Sequence, residues 1–207
     1  MPRSGPPRLV CLVSGGGRTV ASLAETIAAG RLPATIGRVV ASRAGCAAVP
    51  RLRGLGLPVV VVEPPEGAAV WAAVEEAAPA LVCLCGFLHK LPIPAAWRGK
   101  VLNIHPALLP SFGGQGMYGA RVHAAVLAAG VKVSGCTVHF ADEEYDRGPI
   151  VVQKAVPVLE GDTPETLADR VFQAECEAYP EAIRLFLEGR LRIEGGKVAI
   201  RYARREA

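Results

Sequence analysis

Hydrophobic positions in the first half of the chain predict strands that alternate with helices. Five short runs are rich in apolar residues, at residues 9–13, 36–41, 58–62, 80–85 and 99–104. Strands that are apolar on both faces are typical of a parallel sheet covered by helices on both sides. Stretches with helical spacing separate the runs, at Val20 to Ile27 with Gly30 as the stop, at 44–55 and at 67–77.

The pattern changes after the fifth run. The elements expected there are a glycine-rich loop at 111–119, a helix at 121–129, strands at 132–140 and 149–157, a long helix at 163–188 and a hairpin at 191–200. The last two long β-rich runs are close enough in sequence to pair antiparallel around the loop at 142–148. We therefore predict one domain over residues 1–207. It is an α/β, Rossmann-like open twisted sheet with parallel N-terminal strands and antiparallel C-terminal strands.

Composition narrows the classes of function. Hydrophobic residues make up 51% of the 207 residues, and the formal net charge is only +4, which indicates neither disorder nor a nucleic-acid surface. No apolar run reaches the length of a membrane span, and the N-terminus does not read as a signal peptide. We expect a cytoplasmic enzyme of small molecules, a monomer or homodimer, that uses no metal. Cys83 and Cys85 share a strand face and are read as core residues.

The segment Ser14-Gly15-Gly16-Gly17-Arg18-Thr19 joins the first strand to the first helix. Glycines allow the backbone to approach an anion, and the unpaired N–H groups of a helix N-terminus can hold a phosphate. A plain tight turn is the alternative. The segment lacks the dinucleotide-binding spacing, because no small residue takes the third glycine position.

A second polar cluster is expected at the carboxyl end of the fifth strand. Asn103 and His105 are two residues apart, so in a strand they share one face. Ligands of open α/β sheets bind at this edge, which favours a functional amide–imidazole pair. A structural histidine at a strand end is the alternative.

From these residues the sequence becomes recognisable. The run Asn103-Ile104-His105-Pro106-Ala107-Leu108-Leu109-Pro110 resembles a signature of folate-dependent formyltransferases. The residues Gly135-Cys136-Thr137-Val138-His139-Phe140, followed by Asp146, Gly148, Pro149, Ile150 and Gln153, are similar to a second one. The glycine loop and Gly86-Phe87-Leu88 match in order and spacing, so the resemblance covers residues 8 to 190.

The resemblance implies an activity. Within the family, the chain is most similar to the enzymes that formylate glycinamide ribonucleotide with 10-formyltetrahydrofolate in purine synthesis. The expected catalytic residues are Asn103, His105 and Asp146. Asn103 and a protonated His105 would donate to the oxyanion, while Asp146 would raise the pKa of His105 and position a water for proton transfer. His139 would either support this trio or serve packing alone.

The resemblance also places the two substrates. Residues 8–105 form the phosphate-binding half and residues 106–207 the folate and catalytic half. The ribonucleotide would be bound by Gly15, Gly16, Gly17, Arg18, Thr19 and Glu175. The folate would be bound by Leu88, His89, Leu91, Ala141, Asp142 and Asp146.

Three positions depart from the family pattern. Phe172 stands where relatives carry a polar residue near the phosphate, and Arg18 is expected to compensate for it. His89 stands where an arginine often meets the folate tail. The segment Gly113 to Gly119 is about five residues longer than usual and could reshape the amine pocket. Alternative hypotheses are therefore a formyltransferase for another amine such as an amino sugar nucleotide, a formyltetrahydrofolate hydrolase, and a non-catalytic binding module.

Overall fold

A computed structural model describes residues 5–201 of the chain. Its strands are β1 (Arg8–Val13), β2 (Thr35–Ala41), β3 (Val59–Val61), β4 (Leu81–Leu84), β5 (Val101–His105), β6 (Val133–Phe140), β7 (Ile150–Pro157), β8 (Leu191–Glu194) and β9 (Lys197–Ile200). Its α-helices are α1 (Arg18–Ala28), α2 (Ala48–Gly54), α3 (Gly67–Glu76), α4 (Ala120–Ala128) and α5 (Pro164–Leu187). One 3₁₀ turn lies at Ala95–Trp97.

Seven strands form one sheet in the order β3-β2-β1-β4-β5-β6-β7. Strands β1 to β5 pair in parallel, whereas β6 lies antiparallel to β5 and β7 antiparallel to β6. This arrangement confirms the predicted fold class, including the pairing of the two late strands. The hairpin β8-β9 forms a separate small sheet.

Two cores cover the faces of the large sheet. The larger one includes Leu9, Leu102 and Ile183 and joins the sheet to α1, α2, α4 and α5. The smaller one includes Val10, Val82 and Trp71 and joins the other face to α3. Strands apolar on both faces thus lie between two layers, as their sequence indicates. None of the helices within residues 5–201 is both long and apolar enough to cross a membrane.

Helix α2 begins later than the predicted helix at 44–55. The backbone N–H of Ala44 donates to the carboxylate of Glu63 at 2.9 Å, and the N–H of Ala48 donates to the carbonyl of Gly15 at 3.0 Å. These long-range partners replace intrahelical ones, so residues 44–47 form a turn. The second contact also ties α2 to the glycine loop after β1.

Helix α5 is fixed across the sheet by Tyr179, whose side chain is buried. Its hydroxyl lies 3.0 Å from the carbonyl of Leu84 and 2.9 Å from that of Leu102, so it bridges β4 and β5. Glu175 lies one turn earlier on the same helix. The hydrogen bonds of Tyr179 therefore also fix the position of Glu175 relative to the sheet.

Candidate active site

A cavity of about 840 Å³ opens at the carboxyl edge of β1, β4 and β5. Its volume suits a cofactor-sized ligand. Most of the predicted site residues line it, namely Gly15, Arg18, Thr19, Leu88, His89, Leu91, Asn103, His105, Ala141, Asp142, Asp146 and Glu175. Gly16 and Gly17 are not among the lining residues. No group of three or more potential ligands within residues 5–201 is arranged to hold a metal ion.

Asp146 lies at the centre of the polar cluster. One carboxylate oxygen, Oδ1, accepts from Nδ2 of Asn103 at 3.3 Å. The other, Oδ2, lies 3.4 Å from Nδ1 of His105. Only 10% of the side chain of Asp146 is exposed, so a buried carboxylate joins the amide and the imidazole. The structure thus brings together the three residues predicted to be catalytic.

His139 completes this cluster from β6. Its Nδ1 lies 2.9 Å from the carbonyl of Phe140, which can only accept, so this nitrogen carries the hydrogen. Nε2 is then free to accept from Nδ2 of Asn103 at 3.0 Å. In the resting site, both hydrogens of the Asn103 amide therefore have partners, His139 and Asp146.

The glycine-rich segment after β5 supports the cluster directly. The carbonyl of Phe112 lies 2.8 Å from Nε2 of His105, and the N–H of Gly114 donates to Oδ2 of Asp146 at 2.9 Å. A Cβ at Gly113 would collide with Leu109 and lie 3.1 Å from the Cβ of Asp146. Position 113 therefore suits a glycine. The segment around it forms hydrogen bonds with both ionisable residues of the trio, His105 and Asp146.

Backbone geometry aims Asp146 at this cluster. Its φ is +57°, in the left-handed region that non-glycine residues rarely adopt. Two residues later, a Cβ at Gly148 would collide with the carbonyl of Phe140, so the loop must pass close to β6. The tight passage explains why Gly148 accompanies Asp146 in the sequence.

Thr137 fixes the loop that follows β5. Its hydroxyl donates to the carbonyl of Ala107 at 2.7 Å and accepts from the N–H of Leu109 at 3.0 Å. The side-chain amide of Gln153 donates to the same hydroxyl and to the carbonyl of Leu109. Thr137 and Gln153 therefore hold the backbone that carries His105.

Opposing effects determine the pKa of His105. Burial lowers it, and this effect outweighs the neighbouring Asp146 carboxylate and the Phe112 carbonyl, which raise it. Asp146 thus acts in the predicted direction, but the net pKa of His105 is lowered. Because Nε2 must donate to Phe112, the neutral ring has a free lone pair on Nδ1.

Asp146 remains ionised in this environment. Burial raises its pKa, but the proximity of His139 and of His105 and the hydrogen bond from the N–H of Gly114 together lower it by more, so the net shift is downward. A carboxylate beside a neutral imidazole can stabilise that ring when it gains a proton.

The N-terminus of α1 forms the other end of the cavity. Gly17, at the N-cap, has a φ of 72°, and no side chain caps the helix. A Cβ at Gly17 would lie 2.9 Å from the Cβ of Ala48, so this glycine permits packing against α2. The first N–H groups of α1 therefore lack intrahelical acceptors, as an anion site requires.

Arg18 extends over this end of the cavity. Its guanidinium carbon lies 3.9 Å from the ring centroid of Phe172. Nη1 donates to Asp169 at 3.1 Å and Nη2 to the carbonyl of Ala168 at 3.3 Å, and 46% of the side chain is exposed. The aromatic ring thus orients the arginine, and the compensation of Phe172 by Arg18 at a phosphate stays a prediction.

Glu175, on α5, lines the same cavity as the anion site and the trio. Burial raises its pKa to about 7, and the opposite effect of Arg18 is smaller. Its position on the wall of the cavity makes its carboxylate available to hydroxyl groups of a ligand.

The expected folate side is joined to the glycine loop through Ser14. The hydroxyl of Ser14 accepts from the N–H of Leu88 at 3.1 Å, and the N–H of Ser14 donates to the carbonyl of Gly86 at 3.0 Å. The loops after β1 and β4 are therefore hydrogen-bonded to each other. Leu88, with 44% of its surface exposed, presents an apolar side chain to the cavity.

Sequence reasoning missed His123, in the first turn of α4. Its side chain is 3% exposed, it lines the cavity, and its Nδ1 has no hydrogen-bond partner within the described residues. The available signal was its place beside Val122 and Val126, which form the buried stripe of the helix. A histidine within an apolar stripe, after a glycine-rich loop, indicates a cavity-facing position.

Comparisons with known proteins agree with this geometry. The model of the formyl transferase family matches residues 7–183. A chloroplastic phosphoribosylglycinamide formyltransferase of Arabidopsis thaliana is 38% identical over 89% of this chain and 67% of its own length. The crystal structure of glycinamide ribonucleotide transformylase 1 from Symbiobacterium toebii is 39% identical. It has a TM-score of 0.88 and covers 96% of this chain and 95% of its own.

Some relatives are much longer proteins. The trifunctional purine biosynthetic protein adenosine-3 of Gallus gallus is 40% identical over 92% of this chain, but the match spans only 20% of that protein. The region that the family model matches, residues 7–183, contains the whole seven-stranded sheet and every residue of the cluster around Asp146. The chain belongs to the formyl transferase family.

Proposed function

We propose that the chain transfers the formyl group of 10-formyltetrahydrofolate to the amino group of glycinamide ribonucleotide, a step of purine biosynthesis. One observation carries this assignment. A single cavity has the Asn103–His105–Asp146 cluster at one end and the uncapped N-terminus of α1, with Arg18, at the other. A phosphorylated amine can therefore place its phosphate and its reacting nitrogen at the two ends.

The folate side of the cavity suits a pteridine-bearing substrate. Leu88, Leu91 and Ala141 give an apolar surface, with His89 and Asp142 at its rim. In this arrangement the formyl group would lie against Asn103. Co-substrate binding is thus assigned to the loops after β4 and β6.

His105 would move the proton that must leave the attacking amine. Its lowered pKa leaves Nδ1 unprotonated, so it can accept that proton as the new C–N bond forms. Asp146, 3.4 Å away, stabilises the resulting imidazolium. The same proton then passes to the folate nitrogen as the old C–N bond breaks, so His105 returns to its neutral state.

Asn103 would stabilise the oxyanion of the tetrahedral intermediate. Its contact with Asp146, at 3.3 Å, is longer than its contact with His139, at 3.0 Å. The hydrogen that faces Asp146 is therefore the one that can turn to the formyl oxygen. One preorganised donor of this kind contributes about 10²–10³ in rate.

The alternative hypotheses predict different reactions. An enzyme for another amine would formylate an amino sugar nucleotide faster than glycinamide ribonucleotide, and a hydrolase would release formate without any amine. We expect the purified protein to prefer glycinamide ribonucleotide in a panel of amines, measured by formylated product per unit time. Equal or higher rates with an amino sugar nucleotide, or amine-independent release of formate, would reject the assignment.

A further inference from the structure

The polar residues of the cavity leave one part of the proposed acceptor without a partner. In the proposed function, the phosphate would lie at the N-terminus of α1 and Arg18, the ribose hydroxyls at Glu175, and the amine at His105 and Asp146. What remains is the neutral amide that joins the ribose to the aminomethyl group. An amide carbonyl placed in a closed cavity loses its hydrogen bonds to water and needs a donor there.

His123 is a buried polar residue of the cavity whose hydrogen-bonding capacity is unused. Its side chain is 97% buried, and neither ring nitrogen has a hydrogen-bond partner within residues 5–201; Nδ1 in addition does not reach the surface. Because the ring nevertheless lines the cavity, Nε2 is the nitrogen that can reach a ligand. A buried polar side chain without a protein partner at a ligand cavity indicates that the ligand provides the partner.

Residues at both ends of the site act on His123. Burial lowers its pKa, and electrostatic interaction with Arg18 and with His105 lowers it further. A neutral ring with its hydrogen on Nε2 is a donor for an uncharged oxygen.

We propose that His123 binds the amide oxygen of the acceptor through Nε2–H and thereby selects amines that carry a glycinamide-type carbonyl next to the ribose. The inference rests on the proposed function. It makes His123 a specificity-determining residue, because the phosphate and the ribose are recognised elsewhere. The amide contact also fixes the distance between the ribose and the attacking amine.

The test compares dissociation constants of two ligands in position-matched variants. His123→Leu fills a similar volume without a donor, while His123→Gln retains a side-chain N–H. For His123→Leu we expect about tenfold weaker binding of glycinamide ribonucleotide, with ribose 5-phosphate and a folate analogue within about twofold of wild type. His123→Gln should recover most of the affinity.

Ser134 provides a control outside the site. Its hydroxyl is also buried without a partner but does not line the cavity, so Ser134→Ala should change none of the three constants. If His123→Leu does not fold, His123→Asn replaces it, because its shorter amide cannot reach the same point and must show the same selective loss.

Two results would overturn the inference. Equal weakening of ribose 5-phosphate would place His123 at the phosphate or ribose, and unchanged affinity for both ligands would make it a packing residue. Failure of the proposed function is a separate outcome, since the wild-type protein would then not formylate glycinamide ribonucleotide at all.

Discussion

Nδ2 of Asn103 lies 3.0 Å from Nε2 of His139, and this contact determines how the amide faces the cavity. His139 is itself oriented by the carbonyl of Phe140, so a backbone group of β6 ultimately positions a side chain of β5. A residue whose role the sequence left open is therefore placed next to two of the three proposed catalytic residues.

Loss of this contact should slow catalysis without weakening substrate binding. For His139→Ala we expect kcat to fall by about 10- to 100-fold, because the Asn103 amide is no longer held toward the formyl oxygen. Both KM values should stay near those of wild type. A steady-state comparison with His139→Gln, whose amide can still meet Asn103, provides the control. A variant with wild-type kcat would assign His139 to packing.

His105 and Asp146 should act as a unit. Each of His105→Ala and Asp146→Asn should lower kcat by about 10²–10⁴, with folate binding retained. The double variant should lose less than the product of the two single effects, because either change already stops the proton transfer. Single-turnover rates of the three variants test this, and strictly multiplicative losses would contradict it.

The pH dependence of kcat follows from the lowered pKa of His105. Since catalysis needs the neutral ring, kcat should rise with pH through the pKa of His105 in the complex and then level off. Asp146 raises that pKa, so Asp146→Asn should shift the acid limb of its residual activity to lower pH. If kcat of the wild type instead falls at alkaline pH, and this fall is absent in Asp146→Asn, the imidazolium form of His105 would be the active one.

Glu175 should control how pH affects ribonucleotide binding. Its pKa of about 7 means that the carboxylate needed by the ribose hydroxyls is lost below neutrality. The dissociation constant should rise as pH falls below 7, and Glu175→Gln should remove this dependence.

The same residue should also affect stability. Because its pKa in the folded protein lies above the ordinary glutamate value of 4.5, the folded state binds an extra proton and loses stability as the pH rises from 4.5 to about 7. Glu175→Gln should therefore unfold at a higher temperature than wild type at pH 8, and this advantage should vanish below pH 4.5. A constant difference across pH would exclude Glu175 as the source.

The phosphate site is tested through Arg18. A charge-assisted bond to phosphate contributes about 1.5–3 kcal/mol, so Arg18→Ala should raise KM for the ribonucleotide about tenfold to a hundredfold and leave folate affinity unchanged. Arg51→Ala is the matched control, because Arg51 lies next to Gly16 but does not line the cavity. A ribonucleotide KM within about twofold of wild type in Arg18→Ala would show that the side chain only faces solvent.

Much of the fold could be predicted because its signals are local. Apolar runs on both faces and glycine stops identify the parallel strands and their helices, and the Asn103–His105 spacing places two catalytic candidates on one face. The start of α2 could not be predicted, because the N–H of Ala48 bonds to Gly15, a partner distant in sequence.

The protonation states and hydrogen bonds of the site were harder to predict than the identity of its residues. The pKa of His105 depends on whether burial or Asp146 has the larger effect, and only packing decides that. The hydrogen bond from Gly114 to Asp146 uses a backbone group, which has no residue signature. The ligand-binding role of Gly17 stays a prediction, while its close packing against Ala48 is a constraint that the local sequence does not show.

The most direct test of the central claim follows the formyl carbon. The protein is incubated with 10-formyltetrahydrofolate labelled at that carbon and with glycinamide ribonucleotide, and the label is then measured in the formylated ribonucleotide and in free formate. The account predicts that the label passes to the ribonucleotide amine and that His105→Ala slows this transfer by about 10²–10⁴. Label that accumulates as formate at the same rate with and without the ribonucleotide would contradict it.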